Sequence, residues 1–258
     1  MARIIAFVYG FGAYGLFLAA FLYLIGFLAN QFVPKGIDDG MASPVAIALL
    51  VNLGLVALFG VQHSIMARPG CKKWLTRFVP QSVERSTFVL ATSLVLALMY
   101  WQWRPMTAAI WHAETPWVST VLWGVFAAGF VIVLLSTFII DHFDLFGLRQ
   151  VTLDLLHRQY RHPPFKVTYF YKFVRHPIYL GLLLAFWATP DMTLGHLVFA
   201  LGMSAYIFIG VRFEERDLET FLGDDYRRYR ERVPMLLPSA GKVHETVRPS
   251  ARPATGHH

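Results

Sequence analysis

Ionisable and aromatic side chains are densest in the last third of the chain, where a short motif precedes an apolar stretch and two acidic residues follow it. The motif reads Arg175-His176-Pro177-Ile178-Tyr179-Leu180-Gly181, and the acidic pair is Glu214-Glu215. A guanidinium and the free amides of a helix N-terminus both suit a carboxylate, whereas two carboxylates suit an ammonium group or ribose hydroxyls. These residue types favour a cleft for a zwitterionic ligand with an amino-acid end. The alternative is structural: Arg175 pairs with one glutamate, and His176 only caps a helix.

A second group of polar residues lies where three earlier apolar stretches begin or end. The group consists of Gln62, His63, Ser64, Glu84, Arg85, Asp141, His142 and Asp144. If those stretches cross a membrane, polar groups at that depth are costly and tend to mark a site. Both groups are therefore candidates for chemistry, provided that the fold brings them to one side of the membrane.

The elements that must position these residues are apolar helices. Of the 258 residues, 56% are hydrophobic and 15% are charged, with a mean hydropathy of +0.48, whereas soluble domains have about 45–50% apolar and about 25% charged residues. Apolar blocks long enough to cross a ~30 Å hydrocarbon core occupy residues 4–28, 44–66, 87–103 and 117–140. Residues 177–211 are too many for one span and are interrupted by Thr189-Pro190-Asp191, which predicts two helices joined by a tight turn. The sequence therefore predicts an all-α integral membrane protein with four transmembrane helices and a C-terminal helical hairpin, giving five to six membrane helices.

The distribution of basic residues predicts the orientation of these helices. Segments 67–86 and 141–176 and the chain beyond residue 211 are rich in lysine and arginine, whereas the segments after the first and third blocks carry only Lys35 and Arg104. Basic loops stay in the cytoplasm, so both termini and both polar groups are expected on the cytoplasmic side. The net charge of +7 then reflects topology and contact with anionic membrane lipids rather than nucleic-acid binding.

The chain reads as one domain, residues 1–238, followed by a disordered tail, residues 239–258, that is rich in Gly, Pro, Ser and His. The first apolar block is too long for a cleaved signal and is expected to remain. The single cysteine, Cys71, excludes an internal disulfide. Within the hairpin, residues 177–213, Pro177 suits the first turn of a helix. The antiparallel return brings the acidic pair level with Arg175 and His176, at an interhelical distance of about 10 Å.

The motif resembles the S-adenosylmethionine site of the membrane methyltransferases that include isoprenylcysteine carboxyl methyltransferase and the phospholipid N-methyltransferases. Further segments are similar to the bacterial methanethiol S-methyltransferases, which convert methanethiol to dimethyl sulfide. These segments are Val61-Gln62-His63-Ser64-Ile65-Met66-Ala67-Arg68, Glu84-Arg85-Ser86-Thr87, Trp101-Gln102-Trp103-Arg104-Pro105 and Ala185-Phe186-Trp187-Ala188-Thr189-Pro190. The resemblance implies an enzyme of the bacterial inner membrane that takes its cofactor from the cytoplasm and its small thiol substrate from the bilayer.

The resemblance also implies roles for the residues of the hairpin. Arg175 and His176, at the start of the helix that Pro177 opens, would hold the methionyl carboxylate of S-adenosylmethionine. Glu214 or Glu215 would hold its amino group or ribose. Two further residues, Tyr179 and Gly181, would shape the pocket, although an aromatic ring there could serve packing and a glycine could serve close helix approach.

Methyl transfer from a sulfonium needs no metal, but it does need a good nucleophile. A free cysteine thiol has a pKa of about 8.5, and the thiolate is the reactive form. His63 is the first candidate for a general base, with Asp141 or Asp144 either orienting it or acting as the base. Arg85 would stabilise the thiolate or pair with Glu84. Structural readings compete: His63 could be a satisfied structural histidine, and the aspartates could cap a helix end.

Two other functions compete with thiol methylation. One is the same reaction on a prenylcysteine, a phospholipid amine or sulfide. A lipid acceptor needs a lateral groove among the helices, whereas bulky residues suggest a small closed cavity; those residues are Trp101, Trp103, Phe143, Phe146 and Trp187. The other is a haem-binding membrane protein similar to the nitrite-reduction accessory and carotene isomerase family, with His63 and His142 as axial ligands. Haem binding would give no role to the acidic pair, Glu214 and Glu215.

Overall fold

The computed structural model describes residues 1–161 and 167–237, and this part of the chain is helical apart from one short β-ribbon. Five helices are long and apolar enough to cross a membrane. They are α1 (Ala2–Ala29), α2 (Val45–Ala67), α4 (Glu84–Gln102), α5 (Pro116–Ile140) and α9 (Leu194–Leu222). The shorter helices are α3 (Pro69–Leu75), α6 (His142–Leu145), α7 (Leu148–Leu155), α8 (Pro177–Trp187) and α10 (Asp224–Arg232). The predicted all-α membrane class is confirmed, whereas the predicted tail, residues 239–258, lies outside the described residues.

The C-terminal hairpin consists of two helices of very different length. With 11 residues, α8 rises only about 17 Å and cannot cross the hydrocarbon core alone. The second helix, α9, has 29 residues and continues to Leu222, beyond the predicted end of the hairpin at residue 213. Charged residues are compatible with a helix outside the hydrocarbon core, so α9 continues through them. It ends at Leu222, where Gly223 follows as the C-cap residue. Glu214 and Glu215 therefore lie inside α9.

The turn between α8 and α9 is part of a β-ribbon that the sequence did not predict. Strand β2 (Asp191–Thr193) pairs antiparallel with β1 (Ala109–His112), which lies between α4 and α5. The indole Nε1 of Trp111 donates to the carbonyl oxygen of Thr189 over 3.0 Å. The ribbon ties the tip of the hairpin to the loop after α4.

The same end of the molecule is fixed mainly by side chains that bond to backbone atoms. The Lys35 ammonium donates to the carbonyl oxygens of Trp101 and Trp103 over 2.6 and 2.9 Å, at the end of α4. The side chain of Asn52 makes two hydrogen bonds with the backbone of Arg104, over 2.8 and 2.9 Å. The polar groups of Lys35 and Asn52 are used in these structural hydrogen bonds. We therefore expect the reactive groups at the opposite end of the helix bundle.

The shared core of the long helices is aromatic, and α8 enters it along α5. The rings of Phe27, Trp103 and Phe199 are almost completely buried in this core. Between α5 and α8, a Cβ at Gly181 would lie 2.5 Å from the carbonyl oxygen of Gly129, and a Cβ at Gly129 would lie 2.5 Å from that of Gly181. Only glycines permit this backbone contact. It fixes the depth at which α8 begins.

Candidate active site

The ends of the helices that carry the candidate residues meet on one face of the molecule. Arg3, at the start of α1, forms an ion pair with Asp154 of α7 at 3.3 Å. Arg68, which follows α2, forms an ion pair with Asp217 of α9 at 2.6 Å. This face also contains the start of α8, so both groups of polar residues lie on the same side of the bundle.

The first part of the site is a compact cluster at the start of α8. The Oε1 atom of Glu215 lies 2.7 Å from both Nε and Nη2 of Arg175, and 3.1 Å from Nε2 of His176. The side chains of Arg175, His176 and Glu215 are 10%, 5% and 14% exposed. We expected Arg175 and His176 to lie across a cleft from the acidic pair. Instead, Arg175 and Glu215 form a direct, nearly buried ion pair.

The remaining donors of Arg175 bind the last turn of α10 and the chain that follows it. Its Nη1 donates to the carbonyl oxygens of Arg230 and Val233 over 2.9 and 2.5 Å. The backbone amides of Arg175 and His176 donate to the carbonyls of Pro234 and Met235 over 2.9 and 3.2 Å. The guanidinium is thus bonded to protein acceptors in this structure, and its binding of a ligand carboxylate stays a prediction.

Glu214 differs from its neighbour in being accessible. Its side chain is 45% exposed, and its Oε2 accepts a hydrogen bond of 2.8 Å from the hydroxyl of Tyr179. The ring of Tyr179 stacks on the imidazole of His176 with centroids 5.6 Å apart. Of the two acidic residues, Glu214 is therefore the more accessible, and its carboxylate can bind a cation or a hydroxyl group of a ligand.

The first turn of α8 faces the same cluster. Pro177 is its first residue, and no side chain within the described residues caps the turn. The first bond inside the helix runs from the Leu180 amide to the carbonyl of His176. The amides of Ile178 and Tyr179 are consequently donors without an intrahelical acceptor, as at any helix start. They are better suited to a ligand carboxylate than the occupied guanidinium is.

The chain after α9 folds back as helix α10, which covers the cluster. The side chains of Tyr226 and Tyr229 on α10 are buried against the end of α9, and the Tyr229 hydroxyl donates to the carbonyl of Tyr171 over 2.7 Å. Burial raises the pKa of the Tyr171 phenol, and the nearby Glu214 carboxylate raises it further. Tyr171 therefore stays neutral beside the acidic pair.

The second part of the site surrounds His63 at the end of α2. Its imidazole is enclosed by the rings of Phe59, Phe88 and Tyr206, with centroid distances of 5.5, 4.8 and 6.1 Å. The Oγ1 atom of Thr92 lies 3.4 Å from Nδ1, a long contact. His63 thus lies in an aromatic enclosure with only a weak polar partner among the described residues.

Arg85 lies between this enclosure and a separate acidic cluster. Its guanidinium carbon is 4.9 Å from the ring centroid of Phe88, and its Nε donates to the carbonyl of Leu145 over 2.7 Å. The Phe88 ring therefore contacts both the guanidinium of Arg85 and the imidazole of His63. The position is compatible with stabilising an anion in the enclosure.

The two aspartates are held away from His63 by other partners. Asp141 caps α6 by accepting from the Asp144 amide over 3.1 Å, and it pairs with Arg149 at 3.1 Å. Asp144 accepts from the Tyr160 hydroxyl over 3.1 Å. Burial and this hydrogen bond to Asp144 raise the pKa of Tyr160 to about 12. Within the described residues no contact joins either aspartate to His63, so the expectation that they orient it is not met.

His142 belongs to the packing between α1 and α5. The Thr137 hydroxyl donates to the carbonyl of Leu134 over 2.7 Å, so its oxygen accepts from Nδ1 of His142 over 2.8 Å. Nε2 then accepts from the Tyr14 hydroxyl, also over 2.8 Å. Both ring nitrogens are used, and burial lowers the pKa of this imidazole. Neither nitrogen is free to bind haem iron, which argues against the haem-binding alternative.

Two parts of the site were missed by the sequence analysis. One is Tyr206, which precedes Glu214 by about two helical turns on α9 and could have been found from that spacing. The other is the segment from Arg230 to Met235, whose carbonyls surround Arg175. No local pattern indicates that contact, because it joins residues distant in the chain.

Comparison with known proteins adds independent information. The sequence model of the NnrU protein family matches residues 51–241, a span that contains every candidate from His63 to Glu215. Methanethiol S-methyltransferase of Mycobacterium tuberculosis is 52% identical over 92% of this chain and 98% of its own length. Methanethiol S-methyltransferase 1 of Bradyrhizobium diazoefficiens is 52% identical over 92% and 83%, and the enzyme of Crocosphaera subtropica is 45% identical over 94% and 95%. No solved structure was found to match the chain.

Proposed function

Because the chain belongs to the NnrU protein family and to the methanethiol S-methyltransferases, we propose that it transfers a methyl group from S-adenosylmethionine to methanethiol. The product of adding a methyl group to that sulfur is dimethyl sulfide. The single observation that carries the proposal for this chain is the cluster at the start of α8, where an exposed carboxylate, Glu214, lies beside the uncapped first turn of a helix.

The residues of the cluster fit a zwitterionic cofactor. The accessible carboxylate of Glu214 suits the ammonium group or ribose hydroxyls, and the amides of Ile178 and Tyr179 suit the carboxylate. When bound, S-adenosylmethionine supplies a methyl group that its sulfonium charge already activates. The pair formed by Arg175 and Glu215 keeps α8, α9 and the chain after α10 together around this position.

The enclosure around His63 fits a small thiol. Three aromatic rings offer an apolar surface to a methyl group. The imidazole accepts the thiol proton, which converts a poor nucleophile into a thiolate. Arg85, which also contacts Phe88, favours the negative charge that develops. Water is kept from the thiolate by the same rings.

The five long apolar helices make this an integral membrane protein, and we propose that the face with both parts of the site is cytoplasmic. The supporting feature is the concentration of arginine and lysine in the segments at this face. In a bacterial inner membrane, the cofactor then arrives from the cytoplasm. The apolar thiol partitions into the surrounding lipid and arrives laterally.

The test is a direct ranking of acceptors. Purified protein is incubated with S-adenosylmethionine carrying a labelled methyl group and with methanethiol, sulfide, a selenolate or a prenylcysteine, and labelled products are measured in the headspace and in solvent extracts. We expect dimethyl sulfide as the main product. Preferred methylation of prenylcysteine would assign the enzyme to the lipid-modifying alternative, and the absence of any methylated thiol would refute the proposal.

A further inference from the structure

One side chain in the described structure belongs to both parts of the site. Tyr206 lies on α9, and its ring reaches across to α2, where it contacts Phe59 and His63. It also lies close enough to Glu214 to interact with that carboxylate electrostatically. The ring is thus part of the enclosure around His63, and its helix continues to Glu214 in the cofactor cluster.

The position of the ring depends on a small residue of α2. A Cβ added at Gly60 would lie 3.0 Å from Cδ2 of Tyr206, so the ring occupies space that any larger residue would take. From there it meets Phe59 edge-on, with centroids 5.4 Å apart and planes at 77°. It meets the imidazole of His63 in the same manner, at 6.1 Å and 85°. The ring thus packs against three residues of α2, namely Phe59, Gly60 and His63.

We propose that Tyr206 is the residue that limits the acceptor to a thiol with a single carbon. The inference rests on the proposed function, since it concerns the substrate that His63 deprotonates. Of the three rings around the imidazole, Phe59 and Phe88 come from α2 and α4, whereas Tyr206 alone comes from α9, the helix that also carries Glu214. An acceptor approaching His63 from the cofactor side must pass this ring, and each added methylene group must fit beside it.

The expected size of the effect follows from how hydrophobic pockets discriminate. One methylene more or less changes kcat/KM by about 10–200-fold. Removing the ring removes the surface against which the extra carbon would collide. Tyr206→Ala is therefore expected to raise kcat/KM for ethanethiol relative to methanethiol by at least about tenfold, with a similar gain for propanethiol.

The experiment measures kcat/KM for methanethiol, ethanethiol and propanethiol in purified wild-type protein and four variants, together with the Kd for S-adenosylmethionine. Tyr206→Ala removes the ring, and Tyr206→Leu replaces it with a smaller side chain in case the alanine variant does not fold. Tyr206→Phe keeps the ring and loses only the hydroxyl group, so its ratio should stay at the wild-type value. Phe208→Ala is the matched control, because this aromatic residue on the same helix is exposed on the surface of the bundle.

The outcomes separate this inference from the proposed function. A higher ethanethiol ratio in Tyr206→Ala or Tyr206→Leu, with an unchanged Kd for the cofactor, supports the inference. An equal loss of activity on all three thiols, or an unchanged ratio in a variant that binds the cofactor, overturns it while leaving methanethiol methylation intact. A wild-type protein that methylates none of the thiols refutes the proposed function itself.

Discussion

Glutamate-to-glutamine substitutions at the adjacent positions 214 and 215 should affect different properties of the protein. In Glu215→Gln the nearly buried partner of Arg175 and His176 loses its charge. In Glu214→Gln the accessible carboxylate beside the start of α8 loses its charge, while the amide oxygen can still accept from Tyr179. We expect the first variant to lose stability and the second to lose affinity for S-adenosylmethionine.

The magnitudes follow from the contacts. Glu215 makes two hydrogen bonds, one of 2.7 Å with Nε of Arg175 and one of 3.1 Å with Nε2 of His176, and a hydrogen bond to a charged group contributes about 1.5–3 kcal/mol. A neutral acceptor retains about half of that strength, so the substitution costs about 1.5–3 kcal/mol. In a chain of this size about 2–4 °C of Tm corresponds to each kcal/mol, which predicts a Tm lower by about 3–12 °C.

For Glu214, exposure limits the effect on stability to about 0.5 kcal/mol or less. Losing one charged contact with the ligand costs about 1.5–3 kcal/mol, which raises the Kd for S-adenosylmethionine by about 10–150-fold. Thermal unfolding in detergent and calorimetric titration with the cofactor measure the two effects separately. Glu231→Gln is the control, because this exposed residue on α10 carries the same charge at the same end of the molecule.

The reverse pattern would show that the reasoning is wrong. If Glu215→Gln kept the wild-type Tm and bound the cofactor more weakly than Glu214→Gln, the ion pair with Arg175 would have to open when the ligand binds. Arg175 would then be free to take the methionyl carboxylate, as the sequence motif suggested.

Three further predictions concern single residues. His63→Ala should lower turnover of methanethiol at least about tenfold, since a removed general base costs roughly 10²–10⁴, and unchanged methyl transfer would reject that role; the Kd for the cofactor should stay near the wild-type value. Gly181→Ala places a Cβ 2.5 Å from the carbonyl oxygen of Gly129 and should cost about 1–3 kcal/mol in thermal unfolding; a stable variant would contradict the close packing of α5 and α8. Burial lowers the folded-state pKa of His142, so its stabilising effect is complete above the unfolded value of about 6.5 and is lost as the pH falls through the folded pKa. The Tm of wild-type protein should therefore fall between pH 7 and pH 5 more than that of His142→Gln, and parallel curves would count against this.

Much of the architecture could be predicted because the signals are long. Apolar blocks predict spanning helices by length alone, and an antiparallel hairpin necessarily returns Glu214 and Glu215 to the level of Arg175. The hairpin ends were less predictable: α9 passes through its charged residues to Leu222, and β2 consists of only three residues that pair with a loop far away in the chain.

The details of the site depended on contacts that no local pattern encodes. In this structure Arg175 is held against Glu215 while it also binds the carbonyls of Arg230 and Val233, at the end of α10 and far from Arg175 in the chain. Asp141 and His63 both end apolar helices, so their sequence positions look equivalent. Only the packing shows that Asp141 bonds with Arg149 whereas His63 lies among aromatic rings.

The geometry of methyl transfer explains why one helix should carry residues of both parts of the site. The reacting atoms must approach within about 3–3.5 Å in line, and a misplacement of about 1 Å costs about 100-fold in rate. Tyr206 and Glu214 lie eight residues apart on the proline-free α9, a rise of about 12 Å. A continuous helix holds that spacing fixed, and the contact between Gly129 and Gly181 fixes α8 against the bundle in the same way. The relative position of donor and acceptor is then set by the rigid helices α8 and α9, whereas α10 and the chain after it form the cover.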